Sequence, residues 1–203
     1  MRWLLLVVAV GFGAGLAYPY LIQVSGGLHH SVLVVHVLTA AVALVLGPLQ
    51  FMRKRRVHRT VGRVYLLGGV LPSALAAIPV AIWSGHPLTQ VGLTTAAVLW
   101  LVTGGLAYRA ARRRDFAAHR AWMMRNYALT FLAVTARVLV PLLLLAQIPF
   151  GGAGAGSIGE RAPAMIPVGQ TLGWIVNLAV AEVLLRRAWR ARSTTRGGAG
   201  PAA

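Results

Sequence analysis

Two histidines open two apolar stretches of this chain in the same way. His58-Arg59-Thr60-Val61-Gly62-Arg63-Val64-Tyr65 and His119-Arg120-Ala121-Trp122-Met123-Met124-Arg125-Asn126-Tyr127 each run His-Arg, then a further Arg, then a Tyr two residues on. The second copy is one residue longer, and both follow a basic run. Arg snorkelling to phosphates and Tyr in the headgroup layer account for part of the pattern as interfacial anchoring. They do not account for a His at the same point twice. Imidazole is a common metal and haem ligand, so the two His could share a ligand, a metal or a haem iron. A third, His36, lies inside an apolar stretch on a face with His29, Thr39, Ala43, Gly47 and Gln50. Small residues between polar ones leave room for a flat ligand or a close helix contact. A lone membrane His is more often hydrogen-bonded across helices than a ligand. A helix that carries two haems repeats its His about 14 residues apart. That position after His36 is Gln50, so any haem is single or draws its ligands from different helices.

His119, Asn126, Thr130 and Arg137 follow at steps that keep them on one helical face. Arg137 would lie roughly 13 Å deep at about 1.5 Å per residue. At that depth an Arg costs about 2.5–3.5 kcal/mol on insertion scales, so it should face the bundle interior or a wet cavity. Glu182 is the sole acid within an apolar stretch. Its expected axial offset from Arg137 is roughly 7 Å, within reach of a pairing or a bridging water. Such a pair would either staple two helices or leave Arg137 to neutralise a haem propionate or an anionic substrate.

The elements that must position these groups are membrane helices. The chain is 58% hydrophobic, 11% charged and free of Cys, whereas a soluble domain carries about 25% charged residues. Thiol chemistry and iron–sulfur ligation are excluded. Six spans are expected, over Trp3–Ile22, Ser31–Met52, Val61–Trp83, Gln90–Tyr108, Ala121–Ala146 and Val168–Leu185. Each is long enough to cross about 30 Å of hydrocarbon. Of the 20 Lys and Arg, 18 then fall on one side, at Arg2, in Arg53–Arg63, in Arg109–Arg125 or in Arg186–Arg196. That bias puts both termini in the cytoplasm and explains most of the net charge of +17. A nucleic-acid role is excluded because no basic domain stands outside the membrane. The first span reads as an uncleaved anchor rather than a signal peptide. Pro72, Pro79 and Pro141 should kink their helices. The stretch Gln147–Pro167 reads as a flexible outer loop. One transmembrane domain over 1–190 and a disordered cytoplasmic tail over 191–203 complete the organisation.

HRTVGRVY, HRAWMMRNYALTFLAVTARV from His119, GPLQF at Gly47–Phe51 and Asn177-Leu-Ala-Val-Ala-Glu182 resemble the bacterial predicted-membrane-protein family called domain of unknown function 2306. The resemblance covers roughly residues 30–187. It implies a polytopic membrane protein of the bacterial inner membrane and brings no established activity. The layout of His-bearing helices is similar to that of membrane b-type cytochromes, by analogy alone.

No metalloprotease, P-loop, Ser–His–Asp or paired-carboxylate pattern is present, so no catalytic constellation is assigned. The leading expectation is a membrane redox-associated protein binding haem b or a quinone. Its candidate ligand-binding residues are His36, His58, His119, Asn126, Arg137 and Glu182, with haem iron held by His36, His58 or His119. One alternative is a structural or assembly subunit beside a larger membrane complex. The other is a small transporter built on Arg137. Arg59, Arg63, Arg120 and Arg125 are expected to meet anionic lipid headgroups of the bilayer.

Overall fold

The computed structural model describes residues 27–51, 55–147 and 158–197, with isolated positions between 7 and 18. Apart from those positions, the expected first span Trp3–Ile22 lies outside the described residues, as do 148–157 and 198–203. Every regular element among the described residues is helical. α1 covers Leu28–Leu46 and ends in a 3₁₀ turn at Pro48–Phe51. α2 (Arg55–Arg63) runs into a π-helical stretch, Val64–Val70, and on into α3 (Leu71–Trp83). α4 spans Pro87–Arg112, α5 Phe116–Thr130, α6 Leu132–Ala146 and α7 Ile158–Gly197.

Four of these helical stretches are long and apolar enough to cross a membrane: Leu28–Gln50, Val57–Trp83, Pro87–Arg112 and Arg161–Ala191. Taken as one span, α5 and α6 make a fifth. The chain is therefore an all-α membrane helical bundle. Four of the expected spans agree in place with these helices. The bent pair α5 and α6 covers the expected span Ala121–Ala146, with its two halves at 48°.

The bend falls at Phe131 and not at Pro141, which α6 accommodates. Thr130 Oγ1 donates to the Asn126 carbonyl at 3.1 Å, the back-bond that competes with a regular helical ladder. The Phe131 N–H is shared between the Tyr127 and Ala128 carbonyls at 3.1 and 3.2 Å. This tightened turn redirects everything beyond it. At Pro72 the chain uses a different device. Just before it, the Leu71 N–H reaches the Leu66 carbonyl five residues back, so the ladder has already widened to π geometry where proline supplies no donor.

Two further expectations change. Residues 158–167 of the anticipated outer loop are the first turns of α7, and Pro163 and Pro167 sit inside that helix. α7 also continues to Gly197, into the segment read as a disordered tail.

Small residues set the packing. A Cβ on Gly69 would lie 3.0 Å from the Ala43 backbone nitrogen, so the π stretch and α1 touch backbone to backbone. Around that contact sit Ala43, Tyr65, Val70, Ala74, Ala97, Trp100, Ala107, Met123 and Leu129. α1 packs on the π stretch and α3, α3 on α4, α4 on α5, and α7 along α4, α5 and α6. Between α4 and α5 the chain turns through Arg114 at φ 61°. Asp115 then caps α5 by accepting the Ala118 N–H at 2.9 Å.

Candidate functional site

The two His-Arg signatures meet. The His58 and His119 rings lie 6.0 Å apart, centroid to centroid, with their planes at 88°. His58 comes from α2 and His119 from the first turns of α5, so the ends of two hairpins supply one ring each. His119 Nδ1 donates to the Ala107 carbonyl of α4 at 2.9 Å. That bond fixes the ring and leaves Nε2 as the ring nitrogen open to a second partner. Both rings are half-buried. One turn beyond His58, Gly62 faces the side chain of Gln50, and a Cβ there would lie 3.2 Å from Gln50 Oε1. Gln50 Nε2 is buried and has no hydrogen-bond partner.

Beyond the histidines the two copies diverge. Tyr65 is fully buried, and its hydroxyl donates to Asn126 Oδ1 at 2.7 Å and lies 2.9 Å from Thr130 Oγ1. Asn126 Nδ2 donates to the Trp100 carbonyl at 2.8 Å and to Thr103 Oγ1 at 2.9 Å. Trp100 Nε1 donates to Thr130 Oγ1 at 3.0 Å. Both polar atoms of the Asn126 amide are thereby occupied, and Tyr65, Asn126 and Thr130 close on one another. Tyr127 instead covers Gly47, where any Cβ would collide with the ring, and its hydroxyl donates to the Leu44 carbonyl at 3.2 Å. Tyr65 is therefore a buried network residue and not the headgroup anchor expected of it, while Tyr127 is half-buried with its hydroxyl turned to α1.

The remaining candidates do not join the histidine pair. His36 is held across α1 and α3: its Nδ1 lies 2.9 Å from the Ser73 carbonyl and 3.0 Å from Ser73 Oγ. Ser73 Oγ also donates to the His36 carbonyl at 3.0 Å. This is the helix–helix clasp that an intramembrane His more often makes. Glu182 is held by Arg125, whose Nη2 and Nε donate to Oε2 at 2.7 and 3.2 Å. Arg186 Nε approaches Oε1 at 3.4 Å. Arg125 also lies over the Trp122 ring at 4.8 Å. The expected Arg137–Glu182 pairing thus gives way to Arg125–Glu182. The bend at Phe131 is the reason, because Arg137 no longer continues the face of Asn126 and Thr130. Arg137 is exposed, and its Nη1 donates to the Ala133 carbonyl at 3.1 Å. Arg59, Arg63 and Arg120 are exposed too, while Arg125 is half-buried on Glu182.

Sequence reasoning missed the clamp on the bend. Asn177 Nδ2 donates to the Ala128 carbonyl at 3.0 Å, and Asn177 Oδ1 accepts from Thr135 Oγ1 at 2.8 Å. One side chain of α7 so bridges α5 and α6 across the break. Asn177 reads in the sequence only as a polar residue in an apolar run, since its partners lie more than 40 residues away. Asn177→Leu is expected to destabilise the bundle by about 1–2 kcal/mol, the yield of two membrane side-chain hydrogen bonds. Equilibrium unfolding of the purified protein in mixed micelles measures it.

The donor set at the histidine pair is two imidazoles. No group of three or more His, Cys, Asp or Glu converges among the described residues. Chemically the pair can share a metal atom or pass a proton, and the saturated network beneath it can do neither. The match to a family model for predicted membrane proteins, DUF2306, covers residues 33–185. No curated protein and no solved structure matches the chain. The matched region holds both His-Arg signatures, the Tyr65–Asn126 network, the Asn177 clamp and Glu182, and the chain belongs to the DUF2306 family of predicted membrane proteins.

Proposed function

We propose that this membrane protein is redox-associated and binds one haem through His58 and His119. The observation that carries the reading is the 6.0 Å separation of the two perpendicular rings. Two imidazole nitrogens bound to one metal at about 2.0–2.1 Å each place their ring centres roughly 6 Å apart. As it stands the pair is an edge-to-face contact, so ligation would turn one ring until both nitrogens faced the metal.

The donor set selects the metal. Structural zinc takes four protein ligands and catalytic zinc three. Haem iron needs only axial ligands, because the macrocycle supplies the rest. Two imidazoles, with no third ligating side chain beside them among the described residues, suit haem better than a bare ion. The unpartnered Gln50 amide beside Gly62 is a hydrogen-bond donor on the same side of α2. Arg59, which follows His58, would supply a cation for a propionate. When bound, haem brings one-electron chemistry. The residues of this chain fix the ligand ring through Ala107 and hold the two helices in register through Tyr65 and Asn126. On the positive-inside rule the arginine-rich end, and with it the haem, faces the cytoplasm of a bacterial inner membrane.

Protein purified after expression with haem supply should give a b-type reduced-minus-oxidised difference spectrum at one haem per chain. Protein that is folded and colourless after haem reconstitution overturns the reading.

A second reading, a transporter using the polar face of the fifth span, loses its motive. Asn126 and Thr130 are enclosed in a closed network, and Arg137 stands on the far side of the bend. Assembly beside a larger membrane complex remains compatible with haem binding and needs no separate site.

A further inference from the structure

The arginine-rich ends of α5 and α7 enclose an open groove of about 310 Å³ that the histidine pair does not use. α5 has two working faces. His119, Met123, Asn126 and Thr130 turn to the core, while Ala117, Ala121 and Arg125 turn to α7 and line the groove. Its polar wall is Arg120, Arg125 and Arg186 around Glu182. Its apolar wall includes Leu185 and Trp189.

The carboxylate organises the cations without cancelling them. Arg125 commits Nε and Nη2 to one oxygen of Glu182, and Arg186 brings Nε to the other. Arg120 makes no bond to that carboxylate. Three guanidiniums face one carboxylate, so the groove carries a net positive charge. Planar guanidinium nitrogens outside these bonds suit phosphate oxygens. Trp189 is 74% exposed beside them, near the end of the apolar stretch Arg161–Ala191. An exposed indole at that level belongs to the headgroup layer.

We propose that this groove is a binding site for one anionic phospholipid, with its phosphodiester on Arg120, Arg125 and Arg186 and the start of an acyl chain against Leu185 and Trp189. Glu182 is the positioning residue, since it sets the spacing of Arg125 and Arg186. Charge complementarity selects an anion, and the apolar wall selects a lipid over a free anion. The volume, at the small end of ligand sites of about 300–1,000 Å³, fits a headgroup and not a whole lipid. The site is independent of haem.

Native mass spectrometry of the detergent-purified protein tests it. With phosphatidylglycerol added, one lipid per chain should be retained, and phosphatidylcholine should be retained far less. Arg120→Gln should weaken retention roughly fivefold, the equivalent of about 1 kcal/mol per surface arginine. Trp189→Ala should weaken it further, while Arg63→Gln, outside the groove, should leave it unchanged. Both groove positions are exposed, and melting curves would check that these variants fold. Equal retention of the two lipids overturns the proposal, as does an Arg63→Gln effect as large as that of Arg120→Gln. Displacement of the lipid by inorganic phosphate overturns it in favour of a free anion.

Discussion

A chain carrying Asn126→Leu is expected to be less stable by about 2–4 kcal/mol, the largest loss of any single polar substitution in the bundle. Asn126 is fully buried and serves three partners, Tyr65, Trp100 and Thr103, from two neighbouring elements. A side-chain hydrogen bond between membrane helices is worth about 0.6 kcal/mol on average, which gives roughly 2 kcal/mol for three. The rest comes from what is left behind. The Tyr65 hydroxyl loses its Asn126 acceptor and falls back on Thr130 Oγ1 at 2.9 Å, which already accepts from Trp100 Nε1, and such a weakened buried hydrogen bond adds about 1 kcal/mol. Thr103 suffers less, because its hydroxyl still donates to the Leu99 carbonyl at 2.8 Å. Asn126→Asp should also destabilise, since a carboxyl keeps the acceptor for Tyr65 but loses both N–H donors. Thr130→Val should be milder, as Tyr65 retains Asn126 and only the Trp100 Nε1–H loses its acceptor. Unfolding in mixed micelles ranks the three. A Leu substitution as mild as a surface change would show that the network holds nothing together.

His119→Ala is expected to abolish haem retention, while His36→Ala leaves it intact. The two histidines share a ring chemistry and differ in what surrounds them. Both have Nδ1 on a backbone carbonyl, Ala107 for His119 and Ser73 for His36. Only His119 faces a second imidazole. The Ser73 hydroxyl also closes on the His36 carbonyl, so that clasp joins α1 to α3. His36→Ala should therefore lower stability, by about 1–2 kcal/mol for the lost cross-helix bonds, and not haem content. Haem per chain, measured on protein of verified fold, separates these outcomes. Equal haem loss in both variants would move the site away from the arginine-rich end.

The membrane bundle was legible because hydropathy and span length are local properties of the chain. The pairing of His58 with His119 was foreshadowed because each begins the same motif after a basic run, which puts both at one level of the membrane. Tyr65 lies seven residues after His58, on the same helical face, yet its burial depends on the π stretch and on Gly69 reaching Ala43. No single-sequence period encodes that contact. Arg137 misled for a similar reason. Its spacing from Asn126 places it on one face only if the helix is straight, and the turn at Phe131 breaks that condition. The clasp of Asn177 on α5 and α6, and that of Arg125 on Glu182, are choices among distant partners. The sequence names the polar residues and leaves the pairing to packing.

The central claim is that His58 and His119 ligate the same iron. Electron paramagnetic resonance of the oxidised, haem-loaded protein addresses it directly. Two imidazoles on one iron predict a low-spin signal in the wild-type chain. Removal of either ligand alone, in His58→Ala or His119→Ala, should convert the signal to high spin or release the haem. A high-spin wild-type protein, or a low-spin signal that survives in His58→Ala, would contradict the account.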